Sequence, residues 1–239
     1  MLELNKIYCG DCLDFMRSIP DNKIDCIITD PPYRITSRGN AGNSGGMLTT
    51  NLSLKGKIFE NNEIDIEDYL PEFYRILKEG THCYIMCNNT NLVHFLKVID
   101  SSPFHFIKCL IWDKQNKIMG RYYMSCYEYI LFMRKGEDRQ INNCGTSDLL
   151  SVPNKKDKDR SGKNLHDSQK PVRLFQTLVE NSTNKGDLVL DPFCGSGTLP
   201  ISCKRTDRNF LAFEISEQYV KTAQQRLNAE TAQMKLFEF

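Results

Sequence analysis

The four residues 30–33, Asp-Pro-Pro-Tyr, directly follow the apolar segment Asp25–Thr29. The carboxylate of Asp30 and the carbonyl of Pro31 are hydrogen-bond acceptors, and the proline rings hold the backbone around them stiffly. Tyr33 offers a flat aromatic face on which a planar ring can stack. Together these groups could hold an aromatic ring that carries an amino group. A turn beside a buried tyrosine is the alternative interpretation of this stretch taken alone.

A second stretch suited to chemistry is Leu188–Thr198, an apolar strand that ends in Asp191 and leads into Gly195 and Gly197. Glycines in such a loop let the backbone turn tightly and approach a ligand without a Cβ in the way. Glu214 ends the next predicted strand, where an acid can accept hydrogen bonds from ribose hydroxyls. The combination predicts a site for a nucleoside-type cofactor, and a plain strand-to-helix turn is the alternative.

The elements around these stretches alternate between strands and helices. Asp25–Thr29 lacks polar alternation, as expected for a strand buried on both faces of a parallel sheet. The alternation predicts one α/β domain over residues 1–239 with a doubly wound, mostly parallel sheet. The predicted strands are 7–9, 25–29, 82–87, 106–112, 127–133, 187–190 and 209–213, and the predicted helices are 12–19, 66–78 (closed by Gly80), 91–100, 171–182, 199–205 and 217–232.

Two polar segments interrupt this pattern. Residues 36–50 are rich in Gly, Asn, Ser and Thr, which predicts a mobile loop. Residues 137–165 are polar and irregular, which predicts a short insertion in the domain. Within that insertion, the basic run Lys155–Lys163 is either a contact for nucleic acid or a solvated loop.

The composition is that of an ordinary globular protein. Of 239 residues, 40% are hydrophobic and 26% are charged, with a formal net charge of +1. The near-zero net charge neither indicates nor excludes a nucleic-acid partner, because binding needs only a local basic patch. No apolar run approaches the roughly 18 residues of a membrane span, and we see no secretion signal. We therefore expect a cytoplasmic protein whose ten cysteines are reduced thiols.

Four stretches, taken together, resemble the S-adenosylmethionine-dependent amino-methyltransferases of DNA. They are CGDCLDFM at Cys9–Met16, DPPY at Asp30–Tyr33, HDSQKPVRL at His166–Leu174 and DPFCGSGT at Asp191–Thr198. The DPPY tetrapeptide precedes the glycine motif in the chain, and this order resembles the β class of the family. The resemblance implies a Rossmann-like, class I methyltransferase fold with a permuted order of motifs.

The resemblance also implies roles for individual residues. The catalytic set would be Asp30, Pro31, Pro32 and Tyr33. The residues that bind S-adenosylmethionine would be Asp11, Cys12, Asp30, His166, Ser168, Lys170, Asp191, Phe193, Cys194, Gly195, Gly197, Thr198 and Glu214. In this assignment Asp11 meets the cofactor adenine, Glu214 takes the ribose, and Lys170 lies near the methionine carboxylate, where a cation is apt. The target base would be flipped out of a duplex or presented by a single strand.

The target base is predicted from the first residue of the tetrapeptide. Asp30 favours adenine-N6, because cytosine-N4 enzymes of the family more often have serine there. The alternatives are cytosine-N4 methylation of DNA, adenine methylation of RNA, and a non-catalytic cofactor-binding subunit. Residues 137–165 stand where the family has its target-recognition region, and so short a segment leaves the recognised sequence and any restriction partner open. No metal is expected, since methyl transfer from a sulfonium needs none.

The last residues, AQMKLFEF, contain Gln233, Leu236 and Phe237 in the spacing Gln-x-x-Leu-Phe. This spacing resembles the short peptide that bacterial replication proteins insert into the sliding clamp, with two apolar side chains in a pocket. The alternative is that Leu236 and Phe237 pack the last helix against the core. A homodimer is a further expectation, because a partner subunit could assist the short insertion in recognising DNA.

Overall fold

The computed structural model describes residues 2–33, 64–118, 122–154 and 169–236. Some predicted features lie outside these described residues. They are the loop 36–50, the basic run Lys155–Lys163, His166, Ser168 and Phe237.

The described residues contain eight strands and six helices. The strands are β1 (Lys6–Cys9), β2 (Ile24–Thr29), β3 (Leu77–Cys87), β4 (His105–Ile118), β5 (Ser125–Arg134), β6 (Leu149–Ser151), β7 (Leu188–Asp191) and β8 (Asn209–Glu214). The helices are α1 (Cys12–Arg17), α2 (Ile66–Ile76), α3 (Leu92–Asp100), α4 (Val172–Ser182), α5 (Thr198–Arg205) and α6 (Glu217–Leu236). None of these helices is both long and apolar enough to cross a membrane.

The strands form one sheet in the order β1-β8-β7-β2-β3-β5-β4-β6. Neighbouring strands are parallel except where β5 pairs with β3 and with β4. Seven strands therefore run in one direction and β5 runs in the other. The predicted doubly wound, mostly parallel sheet is confirmed.

Residues of β2 show why this sheet needs cover on both faces. Ile27 belongs to an apolar cluster that includes residues of α1, α2 and α3. Its neighbours Cys26 and Ile28 belong to a second cluster, which includes residues of α4, α5 and α6. Successive side chains of a strand point to opposite faces, so an apolar strand without alternation must lie between two layers of helices. The uninterrupted apolar pattern of Asp25–Thr29 is explained in this way.

The boundary between α2 and β3 differs from the prediction. Helix α2 ends at Ile76 and not at Lys78, because Leu77 takes an extended backbone with φ −72° and ψ 139°. Gly80 does not close the helix. It lies inside β3 with φ +71°, and its N–H donates to the carbonyl of Lys135 over 2.9 Å. Pairing of β3 with its neighbours therefore begins where the sequence predicts a last helical turn.

The segment predicted to be wholly irregular contains the short strand β6. Leu150 of β6 is buried and is paired with Trp112 of β4. Trp112 is itself 1% exposed, and its indole Nε1 donates to the carbonyl of Val152 over 2.8 Å. The tryptophan therefore packs in the core and joins β4 to the residue that follows β6.

Candidate active site

The predicted acids meet at one edge of the sheet. β1, β8, β7 and β2 are neighbours and run parallel, so their carboxyl ends lie side by side. Cys9 is paired with Glu214, and Asp191 with Ala212, which sets the register of this edge. Asp30 follows the last residue of β2. Open α/β sheets bind their ligands beyond the carboxyl ends of such strands.

A pair of hydrogen bonds connects the two predicted motifs. The hydroxyl of Thr29 donates to Asp191 Oδ1 over 2.7 Å, and the N–H of Phe193 donates to the same oxygen over 3.1 Å. Asp191 is only 3% exposed. Burial raises the pKa of Asp191 to about 7, even though both hydrogen bonds act to lower it. The carboxyl group of Asp191 thereby joins the end of β2 to the loop after β7. Its raised pKa favours the protonated form more than in an exposed aspartate.

Replacing Asp191 with asparagine should remove one source of pH-dependent stability. An aspartate in an unfolded chain titrates near 4, whereas the pKa of Asp191 in the fold is about 7. Between these values the folded protein keeps a proton that the unfolded chain has lost. This group therefore lowers the free energy of unfolding as pH rises towards 7, and its effect is constant at higher pH. Asparagine keeps the Oδ1 acceptor without the charge.

We expect the stability of Asp191→Asn relative to wild type to increase between pH 5 and pH 7 by a few kcal/mol and then to level off. Urea unfolding at pH 5, 6, 7 and 8 measures this difference. Asp14→Asn, at an exposed carboxylate of α1, is the matched control. An offset from wild type that is the same at all four pH values would contradict the assignment of this titration to Asp191.

Asp30 is held by two donors from the chain itself. The hydroxyl of Tyr33 donates to Asp30 Oδ1 over 2.8 Å, and Lys170 Nζ contacts Oδ2. The Tyr33 ring lies beside Phe95 of α3, with ring centroids 6.2 Å apart. Burial raises the pKa of Asp30, while Lys170 and Tyr33 oppose that rise. The DPPY residues thus form a rigid group with an oriented carboxylate.

Lys170 lies within a buried chain of charges that sequence reasoning missed. Its Nζ is 3.5 Å from Glu128 Oε2, and Glu128 Oε1 accepts a hydrogen bond from Lys114 Nζ over 2.6 Å. The two lysine side chains are 9% and 8% exposed. Four alternating charges therefore run from Asp30 to the β4–β5 hairpin. An acid inside the apolar pattern Tyr127–Met133 was the available signal, because a charge buried there needs a partner.

Electrostatic attraction keeps the inner members of this chain charged. Burial by itself would lower the pKa of Lys170, but Asp30 and Glu128 more than offset it, so that the pKa is raised. Burial by itself would raise the pKa of Glu128, but Lys170 and Lys114 prevail and the pKa is lowered. In the described structure the partners of the Lys170 ammonium are thus two carboxylates of the chain, and its predicted contact with the cofactor remains a prediction.

The turn after β7 has the tight backbone that its glycines predict. Gly197 has φ +82°, and a Cβ at this position would lie 2.9 Å from the Cβ of Ala223 in α6. Gly195 also has a positive φ, of 50°. Arg226 of α6 donates to both the carbonyl and the hydroxyl of Ser196. Close packing against α6 therefore requires the glycine at 197, and Arg226 holds the turn in place.

Glu214 faces this turn from the end of β8. Its Oε2 accepts the N–H of Gly195 over 2.9 Å, and its Oε1 accepts the N–H of Ser216 over 2.8 Å. Burial raises the pKa of Glu214, and these backbone hydrogen bonds act against the rise. A carboxylate has about four lone-pair sites, so this oriented group can also accept hydrogen bonds from a diol. The geometry suits the predicted contact with a ribose.

Asp11 and Cys12 lie at the start of α1, at the same edge. Asp11 caps this helix, and its side chain accepts the N–H of Leu13 over 2.8 Å. Cys12 is buried, and burial raises its pKa to about 12. All ten cysteines are free thiols. In the parts of the chain that the structure describes, no group of three or more His, Cys, Asp or Glu residues could hold a metal ion.

The other predicted site residues hold the loops at this edge of the sheet in place. The hydroxyl of Thr198 donates to the carbonyl of Lys170 over 3.1 Å, which joins the segment before α4 to the start of α5. Cys194 is buried, and its N–H donates to the carbonyl of Phe213 over 2.9 Å. Pro31 is buried and Pro32 is half-buried. These contacts position the loops. Polar contacts with a ligand would come from the acidic side chains and the backbone.

Tyr69 of α2, which the sequence did not single out, indicates that a ligand fits here. Its hydroxyl is buried and has no hydrogen-bond partner among the described residues. Its ring packs against Phe193, with centroids 5.2 Å apart. A buried hydroxyl without a partner is costly, and a polar ligand beside Phe193 could satisfy it. Together with the Glu214 carboxylate and the glycine turn, this supports a fit to S-adenosylmethionine.

Comparison with known proteins finds relatives over nearly the whole chain. A family model described as DNA methylase matches residues 24–225, which include both predicted motifs. The Type II methyltransferase M2.MboI of Moraxella bovis is 29% identical over 96% of this chain and 89% of its own length. The Type II methyltransferase M2.DpnII of Streptococcus pneumoniae is 27% identical over 92% of this chain and 88% of its own length.

Solved structures show the same architecture. The PvuII DNA methyltransferase, described as cytosine-N4-specific, matches with a TM-score of 0.72 at 18% identity, over 95% of this chain and 90% of its own. The complex of M1.HpyAVI with S-adenosylmethionine matches with a TM-score of 0.65 at 23% identity, over 93% of this chain and 99% of its own. At these identities the similarity establishes the fold, which is the class I methyltransferase fold that the motifs predict.

Proposed function

The chain belongs to the DNA methylase family, and we propose that it transfers a methyl group from S-adenosylmethionine to the N6 amino group of adenine in DNA. The class of reaction, cofactor-dependent methylation of a DNA amino group, follows from membership of this family. The target base and the roles of individual residues are our proposal. The observation that carries it is the oriented carboxylate of Asp30, held by Tyr33 and Lys170 next to the glycine turn.

The chemistry requires acceptors for the protons of the target amino group. An exocyclic amino nitrogen is a poor nucleophile, because its lone pair is delocalised into the ring. Asp30 and the carbonyl of Pro31 would accept its two protons and favour a geometry in which that lone pair is available. Tyr33 would hold the ring by stacking. Bound S-adenosylmethionine supplies a methyl group on a sulfonium, and in-line positioning with local electrostatics supplies most of the rate.

Asp30 is also the group that we propose to take the proton released by the methylated nitrogen. Its pKa is raised by burial, which makes it a better proton acceptor than an exposed aspartate. The carboxylate has lone pairs beyond those that Tyr33 and Lys170 engage. Asp30 thus would orient the amino group before transfer and accept its proton afterwards.

The same edge would hold the cofactor, in the arrangement that the family resemblance implies. Glu214 would take the ribose, and Asp11 the cofactor adenine. Lys170 would meet the methionine carboxylate, together with His166 and Ser168. The methionine end would be lined by Asp191, Phe193, Gly195 and Gly197, with Cys12, Cys194 and Thr198 completing the site. The oriented Glu214 carboxylate and the buried hydroxyl of Tyr69 support this placement.

Adenine is favoured over cytosine by the carboxylate at the head of the tetrapeptide. Cytosine-N4 methylation is the second candidate, because the cytosine-N4-specific PvuII enzyme shares the fold with a TM-score of 0.72. The fold similarity does not extend to the choice of base, which depends on a few groups around Asp30 and Tyr33. The first residue of the motif is therefore the feature on which we base the assignment.

Transfer of label from S-adenosylmethionine to unmethylated bacterial DNA, followed by digestion to nucleosides, tests this function. We expect the label in N6-methyldeoxyadenosine. Label in N4-methyldeoxycytidine would overturn the base assignment and keep the mechanism. Preferential labelling of competing RNA would favour an RNA enzyme, and tight cofactor binding without turnover on any substrate would favour a non-catalytic subunit.

DNA recognition by a single domain is part of the proposal. Residues 137–165 would contribute to target recognition as a short insertion. The described part of this segment is anchored to the sheet through β6 and to the end of α4 through Asn142, whose amide donates to the carbonyls of Glu180 and Thr183 over 2.8 Å each. So small an insertion would recognise a short site, alone or with the loop 36–50.

A contact with the sliding clamp gives a separate prediction. Gln233 lies in α6, which continues to Leu236, so this end of the helix would unwind to enter a clamp pocket. A peptide of the last ten residues should bind a bacterial clamp in an anisotropy assay, and the same peptide with Phe237→Ala should not. Failure of the native peptide to bind would make the clamp hypothesis wrong and favour the alternative, in which Leu236 and Phe237 pack the last helix against the core.

A homodimer and a cytoplasmic location complete the proposal. Sedimentation velocity of the purified chain, with and without duplex DNA, tests whether it forms a homodimer.

The ten free cysteines support a cytoplasmic location, because reduced thiols are typical of the cytoplasm.

A further inference from the structure

Glu128 of β5 has a buried oxygen that is open to a further donor. Its Oε1 accepts a hydrogen bond from Lys114 Nζ over 2.6 Å, whereas its Oε2 is buried and has no hydrogen-bond partner among the described residues. A buried carboxylate oxygen without a donor is costly. Because this oxygen lies at the candidate active site, a donor that reaches it during the reaction would explain its presence.

The donor within reach of this oxygen is the Lys170 ammonium. Lys170 Nζ lies 3.5 Å from Glu128 Oε2, beyond an ordinary hydrogen bond, and contacts Asp30 Oδ2 at the same time. The lysine side chain is only 9% exposed, so water cannot easily replace either carboxylate. Lys170 is thus one buried cation shared by two carboxylates, and it lies closer to Asp30 than to Glu128.

The hairpin and Lys114 fix Glu128 in this place. Glu128 is paired with Trp112 of β4 in the antiparallel part of the sheet. Lys114 is 8% exposed at its side chain, and its Nζ lies over the Trp112 ring, 5.3 Å from the centroid. Turning the carboxylate away from Lys170 would break its hydrogen bond to Lys114. The open oxygen therefore has a defined position beside the shared lysine.

The proposed reaction changes the charge of one of these carboxylates. The bond between sulfur and the methyl carbon breaks as the bond between that carbon and the amino nitrogen forms, so positive charge passes from sulfur to nitrogen. The nitrogen then releases a proton to the Asp30 carboxylate. Asp30 becomes a neutral acid, while Lys170 stays a cation. After this step Glu128 is the charged partner that Lys170 has left.

We propose that Glu128 is a positioning residue, which takes over Lys170 through its open Oε2 when Asp30 accepts the proton from the methylated nitrogen. This inference rests on the proposed function. The two atoms are already 3.5 Å apart, so a small shift of the ammonium is enough. A cation with Asp30 as its sole partner would oppose protonation of that carboxylate. Glu128 reduces this opposition, and it thereby acts on the reaction through Lys170 and Asp30.

Ionisable groups from several elements act on Asp30. They are Tyr33 of the same motif, Cys87 of β3, Glu128 of β5, Lys170 before α4 and Asp191 of β7. Burial has the largest effect and raises the pKa of Asp30, Lys170 lowers that pKa, and Glu128 raises it. Burial also raises the pKa values of Tyr33 and Cys87, so both are neutral at neutral pH. Asp191, whose pKa is about 7, titrates in the same range, but it is kept in every variant below.

Two variants should change the pH dependence of methyl transfer in opposite directions. In Glu128→Gln, Lys170 has Asp30 as its single charged partner, so the pKa of Asp30 falls and the loss of single-turnover rate in acid moves to lower pH. Its rate at the pH optimum should fall by about tenfold, a part of the 10²–10⁴-fold that a positioned base contributes. In Lys114→Met, the charge of Glu128 is less compensated, so the pKa of Asp30 rises and the loss of rate moves to higher pH.

A buried glutamate outside the site provides the matched control. The Glu230 side chain is 12% exposed and pairs with Arg205, the last residue of α5. Glu230→Gln should lower stability and leave the pH dependence of the rate unchanged. Glu128→Asp keeps the charge, so its pH dependence should lie nearer to wild type than that of Glu128→Gln. Thermal melting identifies the folded variants, and Lys114→Met keeps the test decisive if Glu128→Gln does not fold.

Carbon-13 NMR of labelled aspartate carboxyl groups measures the same titration without DNA. The signal of Asp30 is assigned by its loss in Asp30→Asn. Its midpoint should fall in Glu128→Gln and rise in Lys114→Met, and Glu230→Gln should match wild type. If both the midpoint and the pH dependence of the rate stay unchanged in the two site variants, the proposal is wrong and Glu128 is only a structural partner of two lysines.

The NMR titration also separates this proposal from the proposed function. If wild type transfers no methyl group to DNA, the proposed function fails. The midpoints of Asp30 in the same variants would then still show whether Glu128 acts on Asp30 through Lys170.

Discussion

Replacing Asp30 with alanine is expected to lower the rate of methyl transfer at saturating cofactor by about 10²–10⁴-fold. The variant loses the acceptor that orients the amino group and takes its proton, and keeps only the carbonyl of Pro31. Lys170 retains Glu128 as a partner, so the substitution leaves no isolated buried cation. Transfer of labelled methyl groups to DNA, measured at several cofactor concentrations, gives the size of the loss.

The control for this prediction is an acid of no catalytic role. Glu3→Ala removes an exposed carboxylate that lies ahead of β1 and pairs with Lys6, away from the carboxyl edge, and its rate should equal that of wild type. Calorimetry should show that Asp30→Ala still binds S-adenosylmethionine. If the rate at saturation is unchanged and only cofactor affinity falls, Asp30 is a binding residue and the proposed mechanism is wrong.

Replacing Lys170 with methionine is expected to cost about 3–5 kcal/mol of folding stability, because it leaves the buried carboxylates without their shared cation. Asp30 and Glu128 would then repel each other in a site from which water is largely excluded. The pKa of Asp30 should rise further above that of the unfolded chain, whereas Glu128 keeps Lys114 as a partner. The loss of stability is therefore full at high pH and becomes smaller as pH falls towards about 4, where the carboxylates are protonated in both states.

A double substitution separates this electrostatic effect from lost packing. Adding Glu128→Gln to Lys170→Met removes one of the two repelling charges and keeps its shape, so the double variant should be more stable than Lys170→Met alone above pH 7. Urea unfolding of wild type, both single variants and the double variant at pH 5 and pH 8 measures the coupling. Equal and additive losses at both pH values would show that the buried charges are not coupled.

The site residues that the sequence by itself determines lie in contiguous stretches at the ends of strands. Asp30 and Asp191 each follow an apolar run, and parallel strands bring their carboxyl ends to one edge whatever their order in the sheet. The glycines at 195 and 197 could also be interpreted locally, because a tight turn restricts the residues that it accepts. For these reasons the fold class and the meeting of these acids at one edge could be predicted from the sequence, while the methyltransferase family followed from the resemblance of its motifs.

Only the tertiary structure decided the features that depend on strand register and on contacts between residues distant in the sequence. Gly80 lies in β3 and not after a helix, since pairing of Leu77 with Ile24 outweighs the helical pattern before it. The pairing of Asp30 with Lys170 joins residues 140 positions apart, and Glu128 joins them only because the antiparallel hairpin places it at that edge. No local pattern records such contacts, because the register between distant strands is set by the packing of the whole sheet.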